Sequence, residues 1–338
     1  MTLTFCETPL DVIRFSRAVI ITIKGVFSIL GRNLEDYNVE ISENKHEILK
    51  ELENILLELK LLGRRPSTLG TYKRLFRDYV EFSGITTVEK INKLSILKFI
   101  SKGDISVNTK AIRLKQMKPI LNRWHKQGLL NNDFWTNFNI KMEDVTLPVT
   151  TEDDIRKFLG LVDLNKFHEF RDTIGVLIMF YTGVRVLGLS KTTENMIDHD
   201  NLLIHYTSSI MKNHRSLSLP IKQFISDMIK DLCVENAKIR KSNNVVNDYL
   251  IITSNGTPFL KKNDVSTFNK RTNHYKKKYG IETLNPQSLR RGFAKRLLDN
   301  GVNLPTISKA LDHSGLDVTT RYLRIDESEM IDVLREIE

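Results

Sequence analysis

The sequence predicts a mainly α-helical protein with a small antiparallel β-sheet, divided into two domains. Three observations carry that expectation. Apolar residues recur at every third or fourth position through long stretches of the chain, the period of an amphipathic helix. The exceptions are three short strand-like segments, Leu202–Tyr206, Ser216–Leu219 and Tyr249–Thr253, the first two close enough to form a hairpin. Thr146-Leu147-Pro148-Val149-Thr150 reads as an extended linker, because Pro148 disfavours helix at the residue before it. The 338 residues, 41% of them hydrophobic, suffice for two buried cores.

Taken in order, residues 1–62 read as a helical N-terminal extension. The apolar run Ala18–Leu30 follows Arg17, contains Lys24 and is too short to span a bilayer. No small-residue cleavage site stands out after it, so it is expected to be a helix that packs on another surface. Asn44–Leu62 has helical spacing at Ile48, Leu52, Ile55 and Leu59, and Gly63 with Pro66 breaks it. A helical domain is expected over 63–145. Leu69, Tyr72, Phe76 and Val80 form its first core face, with Lys73, Arg74 and Arg77 pointing elsewhere. A helix from Thr109 to Gln127 carries Lys110, Arg113, Lys115, Lys118, Arg123 and Lys126. A basic face over an apolar one suits a DNA backbone, and equally a solvated surface.

The linker occupies 146–150, and a larger, mainly helical domain follows over 151–325. Thr151 is a candidate N-cap with Asp154 three residues on. The apolar run Ile174–Phe180 closes on Tyr181-Thr182-Gly183-Val184-Arg185. Residues 326–338 hold six acidic groups against one basic, Arg335, with Met330, Leu334 and Ile337 on one stripe. That pattern predicts an acidic amphipathic helix.

The formal net charge is +10, and a chain this basic fits a polyanion partner, nucleic acid above all. From Gly256 to Arg296 there are eleven Lys or Arg against Asp264 and Glu282. Lys261-Lys262, Lys270-Arg271 and Lys276-Lys277-Lys278 are the clusters, with Tyr275 and Tyr279 interleaved. So one-sided a run points to phosphate contact, which confers affinity rather than sequence choice. The two cysteines, Cys6 and Cys233, lie far apart, and no Cys/His cluster has zinc spacing. A disulfide framework is therefore not expected, and a reducing compartment is.

The chemistry is concentrated near the C-terminus. Gln287-Ser288-Leu289-Arg290-Arg291 is followed by Leu311-Asp312-His313, 23 residues after Arg290, and Tyr322 comes nine residues later. An arginine holds a phosphate by a bidentate fork, a histidine moves a proton near neutral pH, and a tyrosine hydroxyl can form a covalent intermediate. Arg185 ends a buried helical run, and Lys212 lies between the first two strand candidates, where a lysine can reach a groove as a proton donor.

The order Arg185, Lys212, Gln287-x-x-Arg290, His313, Tyr322 resembles the tyrosine recombinases, the phage-integrase and Xer family. The flanks are similar too: Thr182-Gly183-Val184-Arg185, then Leu289-Arg290-Arg291-Gly292-Phe293-Ala294, then Leu311-Asp312-His313-Ser314 and Thr319-Thr320-Arg321-Tyr322. The resemblance covers about 67–330, and residues 67–135 are similar to the family's helical core-binding domain. It implies a two-domain, C-shaped clamp in which an α+β catalytic domain follows an all-helical core-binding domain. Tyr322 would attack the scissile phosphodiester and form a 3′-phosphotyrosyl link. Arg185 and Arg290 would clamp the non-bridging oxygens, and Lys212 would protonate the leaving 5′-oxygen. His313 would hydrogen-bond the phosphate or assist at Tyr322.

No metal, ATP or other cofactor is expected. Lys73, Arg74, Arg77, Lys110, Arg113, Lys270, Arg271, Lys276, Lys277, Lys278 and Arg291 are the expected DNA contacts. The implied partners are duplex recombination sites, three further copies of the chain in a tetramer, docked through the acidic C-terminal helix, and a directionality factor, with no membrane. The expected setting is a prokaryotic cytoplasm at the nucleoid, or the host cytoplasm for a virus-encoded protein. Integration or excision of a mobile element or viral genome is favoured by the extra sixty N-terminal residues. Dimer resolution, a weakly catalytic DNA-binding relative and a topoisomerase-like relaxing enzyme are the alternatives. Two positions depart from the family: Gln287 stands where histidine is usual, and Gly188 where an acidic residue commonly follows the first arginine by three places. Glutamine donates a hydrogen bond but does not titrate.

Overall fold

The computed structural model describes residues 46–143, 145, 147–208, 216–259 and 266–312. The chain divides into two compact units at Val145 and Thr146.

The first unit is helical. Helix α1 (Ile48–Leu61) buries Ile48, Leu52, Ile55, Leu56 and Leu59, the stripe expected from the spacing. Helix α2 (Pro66–Ser83) starts on a proline whose missing N–H costs nothing there. It buries Leu75, Phe76 and Tyr79, while Leu69, Tyr72 and Val80 are partly buried. Helices α3 (Lys93–Ile100) and α4 (Val107–Lys126) are capped by Asn92 and Ser106, whose side chains accept from the third backbone N–H. Phe76 meets Trp124 edge to face at 5.0 Å, and Trp135 donates to Asn122 Oδ1 at 2.6 Å.

One boundary needs correction. Helix α1 lies in the same core as α2, α3 and α4, so the break at Gly63 and Pro66 is a turn inside one domain and not the end of an extension. The five buried apolar residues of α1 all lie in this core.

In the second unit, helix α5 (Glu152–Leu161) opens with the predicted capping box, Thr151 Oγ1 accepting from Asp154 N–H and Asp154 Oδ2 from Thr151 N–H. Helix α6 (Phe167–Thr182) runs through the core, with Ile174 through Phe180 all buried. Gly183 ends it at φ +66°, a conformation that L side chains rarely adopt. The short helix α7 (Val186–Ser190) follows, then a three-stranded antiparallel sheet in the order β1 (Ile197–Asp198), β2 (Leu203–Tyr206), β3 (Leu217–Pro220). His205 pairs with Ser218 and Tyr206 with Leu217, so the hairpin expected around Lys212 is present in its stem. Lys212 itself lies outside the described residues.

The third strand differs from expectation. Tyr249–Thr253 contributes only isolated bridges, Thr193 with Tyr249 and Ile252 with Pro258. Leu250, Ile251 and Ile252 are buried in succession, which no half-exposed strand allows. The sheet is completed instead by Ile197–Asp198.

Helices α8 (Gln223–Asn243), α9 (Ser266–Tyr279), α10 (Pro286–Asp299) and α11 (Leu304–Ala310) complete the described unit. Among the described residues no helix is long and apolar enough to cross a membrane.

The end of the predicted linker is fixed to α10. Thr150 N–H donates to Ser288 O at 3.2 Å, Thr150 Oγ1 to Thr283 O at 2.8 Å, and Arg291 Nε to Pro148 O at 2.7 Å. Gly292 permits this approach, since a β-carbon there would lie 2.2 Å from Thr150 O. Residues 148–150 are therefore a strap on the helix that carries Arg290.

Candidate active site

Two arginines distant in sequence meet at one turn. Arg185 is the N-cap residue of α7, two residues after the Gly183 cap of α6. Arg290 lies in the second turn of α10, which starts at the Asn285 cap. Its side chain is buried, and its two terminal nitrogens donate to Gly183 O and Leu311 O. Arg185 donates from Nη2 to Asp312 O at 3.0 Å and from Nη1 to Asp312 Oδ2 at 3.1 Å. The consecutive carbonyls of Leu311 and Asp312 thus hold Arg290 and Arg185 in turn. The next residue in the chain is His313, which with Tyr322 lies outside the described residues.

Packing also brings the arginine-bearing elements together. A β-carbon at Gly183 would lie 2.3 Å from Phe293 Cδ1 of α10, so the cap of α6 and the arginine-bearing helix touch directly. Arg296, also on α10, sits 4.4 Å above the Tyr181 ring and donates to Tyr181 O. Each guanidinium carries five N–H donors in a fixed fork. Arg185 keeps 30% side-chain exposure. A pair of cations held in this way is suited to an anion with two accessible oxygens, such as a phosphodiester.

Gln287, the second residue of α10, is exposed. Gly188 is buried in α7, and a β-carbon there would lie 2.6 Å from Val184 Cγ2. A side chain at 188 would therefore require Val184 to shift. The carboxylate on Arg185 comes from Asp312, a partner that sequence reading missed. The available signal was an acidic residue next to His313 in a chain lacking one at 188.

The predicted DNA-contacting cations separate into two groups. Lys73, Arg74 and Arg77 are exposed on α2, with Lys73 paired to Glu53 at 2.5 Å. Lys110 is half-buried on α4. Lys270 and Lys277 are exposed on α9. The others turn to the protein itself. Arg113 binds the carbonyls at the end of α3, the nearest being Lys102 O at 2.9 Å. Arg291 is buried on Pro148 O and Ser288 Oγ. Arg271 Nε meets Asp172 Oδ2 at 2.6 Å, Lys276 meets Glu282 at 2.7 Å, and Lys278 meets Glu169 at 3.1 Å. Lys261 and Lys262 lie outside the described residues.

Arg271 and Lys278 of α9 thus reach buried carboxylates, while Lys276 pairs with exposed Glu282 at the surface. Asp172, buried on α6, takes Arg171 on Oδ1 and both Arg271 and Tyr275 on Oδ2. Buried Glu169 takes Lys278, the Tyr279 hydroxyl and the Asp163 N–H. Burial alone would raise the Glu169 pKa, but these three donors bring it below the ordinary carboxylate value. A buried carboxylate without such partners would be expelled or protonated.

Comparisons with known proteins place the chain in a family. The Phage integrase family pattern matches residues 148–329. A protein described as tyrosine recombinase XerD from Staphylococcus haemolyticus is 22% identical over 281 residues, covering 79% of this chain and 91% of its own length. A tyrosine recombinase from Thermosipho africanus is 23% identical over 282 residues, with 80% and 93% covered. Among solved structures, the Tn1549 transposon integrase in complex with a circular intermediate DNA superposes with a TM-score of 0.68 at 14% identity, over 87% of this chain and 100% of that one. The lambda integrase dimer bound to a COC′ core site gives 0.61 at 14% identity, over 82% and 95%. These likenesses define a helical recombinase fold. The chain belongs to the phage integrase family of tyrosine recombinases.

Proposed function

We propose that the protein is a site-specific DNA strand transferase that cuts and rejoins duplex DNA through a 3′-phosphotyrosyl intermediate on Tyr322. The observation that supports this most is the turn at Leu311 and Asp312, which draws Arg185 and Arg290 together one residue before His313. In this reading the arginines bind the non-bridging oxygens and stabilise the pentacoordinate transition state. A preorganised donor of this kind contributes about 3–4 kcal/mol. Lys212 donates the proton to the 5′-oxygen, His313 assists at the phosphate, and Gln287 orients it by hydrogen bonding. Bond energy is retained in the tyrosyl link, so the reaction needs no ATP or metal. The protein acts as a tetramer on two duplexes, with the acidic segment 326–338 contacting a neighbour.

The biological role we infer is integration or excision of a mobile element or viral genome in a prokaryotic cytoplasm, with a directionality factor. The N-terminal sequence supports it less broadly than a count of sixty extra residues implies, because α1 belongs to the helical core. Xer-like dimer resolution is the second reading, and relatives described as XerD favour it. Gln287 and Gly188 favour a third, a weakly catalytic DNA-binding protein of the same fold.

The test starts from a duplex that the full-length Tyr322→Phe protein selects from a random pool. A nicked version of that duplex traps any covalent adduct. Wild-type protein should form an adduct that Tyr322→Phe cannot, with equal DNA binding by both. Binding without an adduct from wild-type protein would refute strand transfer and favour the third reading.

A further inference from the structure

We propose that Asp312 is a positioning residue for Arg185, supplying the carboxylate that this chain lacks at Gly188. The proposal rests on the strand-transfer reading above.

Asp312 grips one guanidinium twice, by its carbonyl at 3.0 Å from Nη2 and by its carboxylate at 3.1 Å from Nη1. Its side chain is 6% exposed, so the charge lies away from water and Arg185 is an ionic partner for it. The grip depends on the backbone. Asp312 sits at φ +48°, in the left-handed region, where short polar side chains such as Asp and Asn are the non-glycine residues most readily found. That turn directs the Asp312 carbonyl to Arg185 while the Leu311 carbonyl goes to Arg290. A residue that fixes the turn therefore fixes both cations at once. Gly188 carries no side chain that could share the task, and one placed there would require Val184 to shift.

An aspartate acting in this way has a signature that a merely structural residue lacks. Its effect should pass through the charge of the scissile phosphate, since Arg185 is there to meet that charge. Replacing one non-bridging oxygen by methyl, as a methylphosphonate, removes the charge and with it much of the need for Arg185.

The experiment measures single-turnover adduct formation by the full-length protein on the selected nicked duplex, carrying either a phosphodiester or a methylphosphonate at the cleaved position. Asp312→Asn keeps the carbonyl and the turn but removes the charge. Asp312→Gly removes the carboxylate and suits the positive φ, so it guards against a folding failure. Both should slow the phosphodiester reaction about tenfold to a hundredfold, less than loss of a transition-state donor outright. On the methylphosphonate the loss should shrink to about threefold or less. Arg185→Ala with Asp312→Asn should be no slower on the phosphodiester than Arg185→Ala alone, because the two act as one unit.

Equal losses on both substrates, or additive losses in the double variant, overturn the proposal while strand transfer stands. Absence of a Tyr322-dependent adduct from the wild-type protein overturns the functional reading and this proposal together.

Discussion

Gly292→Ala sets two effects of opposite sign against each other. Alanine is favoured over glycine in a helix interior by about 1 kcal/mol, so propensity alone predicts a more stable protein. The strap predicts the reverse. A β-carbon at 292 would stand 2.2 Å from Thr150 O and 2.9 Å from Phe180 Cε2, so the strap must retreat by about 1 Å to reach ordinary contact. Three hydrogen bonds hold it where it is, two from Thr150 and one from Arg291 to Pro148 O. At about 1 kcal/mol each they represent about 3 kcal/mol, and subtracting the helix gain leaves a net loss of about 2 kcal/mol. For a unit of this size, that lowers the midpoint of thermal unfolding by about 4–8 °C. Far-UV circular dichroism would follow it. Both tryptophans, Trp124 and Trp135, lie in the first unit, so their emission identifies which transition is which. A midpoint unchanged or raised would show that the strap yields freely, and the reasoning would fail.

Three further predictions concern the ionic core and the site. Asp172→Asn removes the negative charge between buried Arg171 and half-buried Arg271 and should destabilise the second unit by about 3–5 kcal/mol; a loss below about 1 kcal/mol in urea titration would deny the network that weight. Glu169 has a pKa lowered on folding, so the unfolded state binds its proton first as pH falls. Its contribution is complete above the unfolded carboxylate pKa of about 4.3 and is lost as pH falls through the lower folded value. Glu169→Gln should therefore flatten the fall of the urea midpoint below about pH 4.5, and parallel curves for the two proteins would count against this. Gln287→His should speed adduct formation and introduce a pH dependence near 6.5, the ordinary histidine value; an unchanged rate and profile would mean that residue 287 exchanges no proton.

What the sequence discloses follows the range of the interactions involved. Thr151 with Asp154, and Ile174–Phe180 closing on Gly183, are signals within a few residues of each other, and each appears in the structure as expected. The break at Gly63 and Pro66 was misread because a turn inside a core and a turn between domains use the same residues. Ile197–Asp198 is too short to show alternation, so it escaped notice as a strand. The cations of α9 read as a DNA surface because Glu169 and Asp172 lie about a hundred residues earlier, and a charge run does not name its partner. At the site, the arginine boxes were legible through resemblance, whereas the grip of Asp312 was not, because it arises from a positive φ at a residue other than glycine.

The ion-paired cations of α9 also bear on how the protein would respond to salt. Each phosphate neutralised by a protein cation releases condensed counterions, and the logarithm of the binding constant falls with the logarithm of salt concentration by about 0.9 per contact. Lys270, Arg271, Lys276, Lys277 and Lys278 together would give this helix a slope of about −4.5. With Arg271, Lys276 and Lys278 already matched to acidic groups, Lys270 and Lys277 remain, and the slope falls to about −1.8. A helix that looks like a strong electrolyte handle would then let the protein hold DNA over a wider range of ionic strength than its formal charge implies.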